Sequence, residues 1–333
     1  MLLTLLLILS AFLFSIQFLL AKTYQKRNGA GIKATLKLSV MVYLTGTLFF
    51  YLKYAFTTGN FSIRLSFFTL IINIATSVAA LLGMYCGNKA LSVGNMSVYA
   101  VFTMLGNIIL PSVVGMVFFG EKVTFLKIFC MLLMIAAIVI INLKKESDAK
   151  KNKKAIFFYV AIFILNGLSG ILFTVHQNNP TLTACYDYVN GVAVANSDVF
   201  VLWNSIVETI AAIILLTVYC LFFDKNKADK TVLNNSEETI AAESKIDGRT
   251  FSILFLLIIG VSYGIVHGLG NYFIAIGTGP DSLGASVTFP LVNGGTILFS
   301  TLFGCLFYKE KLSLNSIIGL ILVIASTILF MVA

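Results

Sequence analysis

Of the fourteen acidic residues in this chain of 333, only Glu208 lies well inside a long apolar run. It sits about ten residues into the run 198–222, which at 1.5 Å per helical residue is near the middle of a bilayer. A carboxylate at that depth costs at least ~2.5 kcal/mol on insertion scales, so it must face protein or water. There it can carry a proton or bind a cation; the plainer alternative is a hydrogen-bonded acid that ties its helix to a neighbour. Asn204 precedes Glu208 by four residues and so shares its helical face, with Trp203 beside them.

His267 is the second candidate, in the run Tyr263-Gly264-Ile265-Val266-His267-Gly268-Leu269-Gly270-Asn271-Tyr272. Helical spacing puts His267 and Asn271 on one face. An imidazole there can hold an anionic substrate or relay a proton, or it is a neutral group bonded to a neighbouring helix. Gly264, Gly268 and Gly270 suit close helix packing or a bend. A third group is Thr288-Phe289-Pro290-Leu291-Val292-Asn293-Gly294-Gly295. Pro290 removes one helix hydrogen bond, so a backbone carbonyl, Thr288 and Asn293 are candidate substrate contacts; a packing kink is the alternative. Gln17, Tyr85, Tyr99 and Asn166 are further polar groups inside apolar runs. For these, interhelical hydrogen bonds of about 0.6 kcal/mol compete with a substrate role.

Catalytic chemistry is not suggested. His176 and His267 are the only histidines, and there is no HExxH, GxSxG or Walker loop, so no catalytic residue, metal site or cofactor is implied. Cys86, Cys130, Cys185, Cys220 and Cys305 show no CxxC spacing and read as small apolar residues.

The elements that position these residues are membrane helices. The chain is 59% hydrophobic and 11% charged, with a mean hydropathy of +0.96. A soluble domain carries roughly 25% charged residues, so lipid must cover much of this apolar surface. Ten apolar runs follow one another, at 2–20, 38–57, 66–88, 94–118, 124–143, 155–175, 198–222, 251–276, 283–307 and 313–332. Lipid offers backbone amides no partner, so each run is expected to be a helix. The fold class expected is an all-α polytopic membrane protein. Residues 1–143 form one five-helix unit, 144–154 a basic linker and 155–333 a second unit. Residues 223–250 hold six acids and read as a flexible link.

Topology follows from the cations. The loops after runs 1, 3, 5, 7 and 9 hold nineteen of the 23 Lys and Arg, and the other side keeps Lys53, Arg64, Lys122 and Lys127. The positive-inside rule puts the rich side in the cytoplasm and both termini outside. The basic linker then anchors topology and touches anionic lipid; the net charge of +9 does not indicate nucleic acid. Each half has an odd number of runs, so the halves have opposite orientations.

The halves also repeat. Residues 94–141 slide onto 283–330 without a gap. Gly106 falls on Gly295, Gly115 on Gly304, Phe118 on Phe307 and Glu121-Lys122 on Glu310-Lys311, with Ser97-Val98 on Ser286-Val287. An inverted duplication is the expected build of a secondary transporter, with its site between the halves. The repeated Glu-Lys pair reads most simply as an exposed charge pair at a helix end, the other reading being gates that close alternately.

The pattern Ala90-Leu91-Ser92, Met96-Ser97-Val98, Pro111, Gly115, Gly120-Glu121-Lys122-Val123-Thr124 and Met134-Ile135-Ala136-Ala137 resembles the end of an EamA-type repeat. Gly284-Ala285-Ser286-Val287, Gly304, Lys309-Glu310-Lys311-Leu312-Ser313 and Gly319-Leu320-Ile321-Leu322 are similar to it again, apart from Lys309 where a glycine is common. Such repeats belong to the drug/metabolite transporter superfamily. The resemblance implies a central cavity enclosed by spans 1–4 and 6–9, and movement of small metabolites, amino acids or drugs. The expectation is therefore a plasma-membrane secondary carrier working by alternating access, proton-coupled through Glu208. Its partners would be a small-molecule substrate, membrane lipid and the proton. A solute channel and a non-transporting scaffold remain the alternatives.

Overall fold

The computed structural model describes residues 2–28, 31–59, 65–93, 96–142, 153–179, 186–189, 192–195, 197–224, 242–279, 282–308 and 314–330. These residues form ten α-helices: α1 (Leu2–Asn28), α2 (Ile32–Thr58), α3 (Phe67–Val93), α4 (Met96–Phe118), α5 (Phe125–Asn142), α6 (Lys153–Gln177), α7 (Ser197–Tyr219), α8 (Ala242–Thr278), α9 (Ala285–Tyr308) and α10 (Leu314–Phe330). Six of them, α1, α2, α6, α7, α8 and α9, are long and apolar enough to cross a membrane; the described parts of the other four are shorter apolar helices. Outward-facing Phe56, Phe67, Phe118, Phe125, Leu2 and Leu306 are largely exposed, an apolar surface that water would not tolerate at this extent.

Two features depart from the sequence reading. The stretch between α6 and α7 carries an antiparallel hairpin, β1 (Tyr186–Val189) with β2 (Val192–Ala195), in which Tyr186 pairs with Ala195 and Val189 with Val192. Its signal was the dipeptide Asn190-Gly191 between β-branched runs. The link read as flexible over 223–250 is shorter, because α7 ends in a π turn (Cys220–Asp224) and α8 already begins at Ala242.

The helices pack in pairs that recur five helices apart. α3 packs on α6 as α8 packs on α1; α4 packs on α6 as α9 packs on α1; α3 meets α7 as α8 meets α2. Three further pairs, α2 with α7, α4 with α9 and α5 with α10, join each helix to its own counterpart. The repeated glycines serve these pairs. A methyl on Gly106 would overlap the backbone carbonyl of Phe163 in α6, and one on Gly295 would come within 2.7 Å of the Ala11 methyl in α1. Small residues let helix backbones approach where lipid supplies no hydrophobic drive between them. The main core lies inside this ring, built on Leu7, Phe50, Phe173, Phe200, Leu202 and Leu291.

One end of the bundle is tied by capping groups. Gly120 turns the chain at φ 65° after α4 as a left-handed cap, and the amide of Glu121 returns to the carbonyl of Gly115. Glu121 then points at the start of α9. Its carboxylate accepts from the amides of Ala285 (2.6 Å) and Ser286 (2.9 Å). Gly284, at φ 77°, leaves space for it. Glu121 is therefore half-buried and holds the first half to the second, which corrects its reading as an exposed charge pair. Glu310 and Lys311 lie outside the described residues. At the same end Asn178 donates to the carbonyls of Thr174 (3.0 Å) and Thr278 (2.9 Å), tying α6 to α8.

Candidate functional site

The inward face of α8 carries Tyr263, His267 and Asn271 at successive turns, as four-residue spacing dictates. Gln17 of α1 reaches into this row. Its amide nitrogen donates to the Tyr263 hydroxyl (3.0 Å), and its oxygen lies 3.1 Å from His267 Nδ1. Asn271 Nδ2 lies 3.1 Å from His267 Nε2. An amide nitrogen only donates, so Nε2 accepts and the ring proton sits on Nδ1, aimed at Gln17. Both imidazole nitrogens are thus engaged, and the ring is boxed by Phe14, Tyr43 and Tyr263 with centroids 6.0–6.3 Å away. This arrangement suits a fixed neutral hydrogen-bonding wall better than a proton relay.

Glu208 lies on α7, which packs against α2. Gly46 receives Ser205, and Thr47 Oγ1 lies 3.2 Å from Thr209 Oγ1, so Ser205 and Thr209 make the face toward α2. Asn204 and Glu208 stand on the neighbouring ridge, both buried at 6% and 7% exposure. Asn204 bonds the Glu208 carboxylate through its amide nitrogen, and its own Oδ1 is buried without a partner. Tyr43 of α2 joins the two groups: its ring stands 6.0 Å from that of His267, and it interacts electrostatically with Glu208 and Tyr263. Trp203 packs half-buried against the main core nearby.

The structure therefore gathers Gln17, Asn204, Glu208, His267 and Asn271 around Tyr43. It does not gather the rest. Asn293 donates to the Phe289 carbonyl of its own helix (2.8 Å), and no described hydrogen bond joins it to the group. Thr288 is fully buried and donates to Gly277 (2.6 Å), fastening α9 to the end of α8, a structural role rather than a lining one. Asn293 acts locally because a helix carbonyl one turn back is the nearest acceptor in a dry interior. α9 stays continuous through Pro290. Tyr85 is 48% exposed on the outer face of α3, beside Leu82 and Val78, and so stands away from the interior. Asn166 is half-buried on α6, and no described hydrogen bond joins it to the group. The side chain of Tyr99 lies outside the described residues.

Tyr43, Thr47 and Tyr263 escaped the reading as site residues. A signal existed, since Tyr43 and Thr47 are four apart in a largely apolar run and so share a helical face. Gly264 and Gly268 let this site form: added methyls would come within 2.5 Å of the Val42 carbonyl and of the Phe50 ring, so α8 lies directly on α2.

No protein-family description matches this chain, and no curated protein is similar to it. The fold is shared with solved structures, of which 27 chains match. One of them, a crystal structure described only as that of a protein, aligns with a TM-score of 0.66 at 11% sequence identity. The alignment covers 99% of this chain and 97% of the other. At that identity the likeness concerns the fold alone.

Proposed function

We propose that this protein is a secondary carrier, moving a small metabolite, amino acid or drug-like solute by alternating access, with Glu208 as its proton-coupling group. One observation carries the reading: the only acid deep in an apolar run is buried where α2, α7 and α8 converge, beside phenol, amide and imidazole groups from α1, α2 and α8. An ionisable group held inside a membrane bundle among polar side chains marks an ion or substrate pathway. In this reading the ten helices span the membrane as two inverted five-helix units, 1–143 and 155–333. The packing pairs that recur five helices apart support that, as does the gapless repeat. The distribution of Lys and Arg favours termini on the outer side of the plasma membrane. The resemblance to EamA-type repeats supports the solute class, and the constellation favours transport over catalysis.

The test uses protein reconstituted in liposomes, with a probe chosen by thermal-shift screening of amino acids, sugars, nucleosides and cationic dyes. Uptake should saturate, show counterflow and respond to an imposed pH gradient. Glu208→Gln should keep the fold and the counterflow and lose the pH drive. Unchanged pH-driven uptake in that variant removes Glu208 from the mechanism, and unsaturable conductance replaces the carrier with a channel.

A further inference from the structure

Four polar groups outside the site lead toward Glu208. His176, at the end of α6, is buried at 3% exposure, and its Nε2 lies 3.0 Å from Thr69 Oγ1 at the start of α3. Its ring stacks on Phe200, near the start of α7, with centroids 4.0 Å apart. α3 and α7 therefore both begin at this junction and run from it in the same sense while packing on each other. One turn inward, about 6 Å on, stand Asn73 on α3 and Asn204 on α7; two turns inward, about 12 Å on, stand Ser77 and Glu208. The lipid face of α3 is marked by Ile71, Ile74, Val78 and Leu82, all more than 45% exposed, and Thr69 and Asn73 lie opposite it. Asn73 and Ser77 are 0% and 2% exposed.

Beyond the Thr69–His176 pair, four polar atoms along this line lack partners. Both amide atoms of Asn73, Ser77 Oγ and Asn204 Oδ1 are buried without a hydrogen bond. Each buried polar atom left so costs about 1–3 kcal/mol, and a membrane interior gives no relief. Polar sites of this kind are where proteins hold internal water. We propose that the α3–α7 seam of Thr69, Asn73, Ser77 and Asn204 is a water-bearing path that brings protons to Glu208 from the end of the bundle where His176 closes α6. This rests on the reading of Glu208 as the coupling carboxylate. The seam's chemistry is that of hydronium: Asn204 Oδ1, Asn73 Oδ1 and Ser77 Oγ accept its hydrogens in turn. At the end of the path an O–H bond forms on the Glu208 carboxylate and water is left behind.

The titratable groups around Glu208 come from three helices. They are Tyr43 of α2, Tyr263 and His267 of α8, and His176 of α6 at the far end of the seam. Lys53 of α2 lies apart, 4.2 Å over the Tyr272 ring. Among the described residues α3 brings only neutral polar groups to this level, Asn73, Thr76 and Ser77. The seam therefore conducts without a second acid.

The experiment is infrared spectroscopy of the full chain in lipid after a pH jump, which needs no substrate. The carboxyl band of Glu208 is identified by its loss in Glu208→Gln. In Asn73→Leu and in Ser77→Ala the band should follow the jump more slowly by about tenfold or more, with Asn73→Thr restoring the rate. Ser77→Cys in a cysteine-free background should react with a water-soluble methanethiosulfonate, whereas Ile74→Cys on the lipid face should not. A band that responds at the unaltered rate in Asn73→Leu and Ser77→Ala, or an unreactive Ser77→Cys, overturns the seam and leaves Glu208 as the coupling group. No titrating band assignable to Glu208 overturns both.

Discussion

Adding one methyl group at Gly115 should change the sign of its effect according to what stands at position 121. Gly115 lies in the last turn of α4, and a Cβ built there would run into the Glu121 carboxylate. That carboxylate is held by the amides of Ala285 and Ser286 at 2.6 and 2.9 Å, at the positive end of the α9 dipole. Hydrogen bonds to a charged group contribute about 1.5–3 kcal/mol each, less where solvent reaches them. Glu121 is half-buried, so displacing it should lose about 2 kcal/mol in all. Gly115→Ala alone should then destabilise by about 1–1.5 kcal/mol, after the roughly 0.5–1 kcal/mol that alanine gains over glycine in a helix. In a Glu121→Ala background the methyl has room, and the same substitution should stabilise by about 0.5–1 kcal/mol. Unfolding in detergent micelles, followed through Trp203, the only tryptophan, reads the four corners of this cycle. If Gly115→Ala shifts stability in the same direction in both backgrounds, the clasp between the halves is not what the repeated glycine and glutamate share.

Other expectations rest on other contacts. Gly264→Ala should destabilise by about 1–3 kcal/mol, because its methyl meets the Val42 carbonyl, a backbone atom that cannot step aside. Gly260→Ala meets chiefly the Met41 side chain, with no backbone atom nearer than 3.9 Å, and should lose less; equal losses in thermal denaturation would contradict that distinction. Gln17→Leu removes the acceptor of His267 Nδ1 and the donor to Tyr263, which should lower stability by about 1–3 kcal/mol and weaken probe uptake. Uptake and melting temperature both unchanged would place the network outside the working site. Thr47→Val should lose only about 0.6 kcal/mol, since Thr209 keeps its bond to the Ser205 carbonyl, and a larger drop would mean that α2 and α7 depend on that hydroxyl pair.

The sequence by itself determined what local rules can reach. Lipid leaves backbone amides no other partner, so apolar runs of roughly 20 residues had to be helices, and the described helices follow them. Four-residue spacing put Asn204 beside Glu208 and Asn271 beside His267, and both pairs bond in the structure. The same spacing lets the Asn293 amide reach the Phe289 carbonyl of its own helix. A hairpin and the early start of α8 lie outside what apolar runs reveal, because turn and cap chemistry sets them.

Only the tertiary structure decided which helix faces meet. Gln17 finds His267 across 250 positions and Thr69 finds His176 across 107, distances over which sequence carries no period to follow. Glu121 changed from a surface charge to a clasp because the turn at Gly120 aims it at α9, and no property of residues 119–124 names that target. Asn73 and Ser77 are buried without partners, which is a property of the packed bundle alone. Spacing along a helix is fixed by covalent geometry, whereas the rotation and register of one helix against another are fixed by side-chain packing across the whole fold.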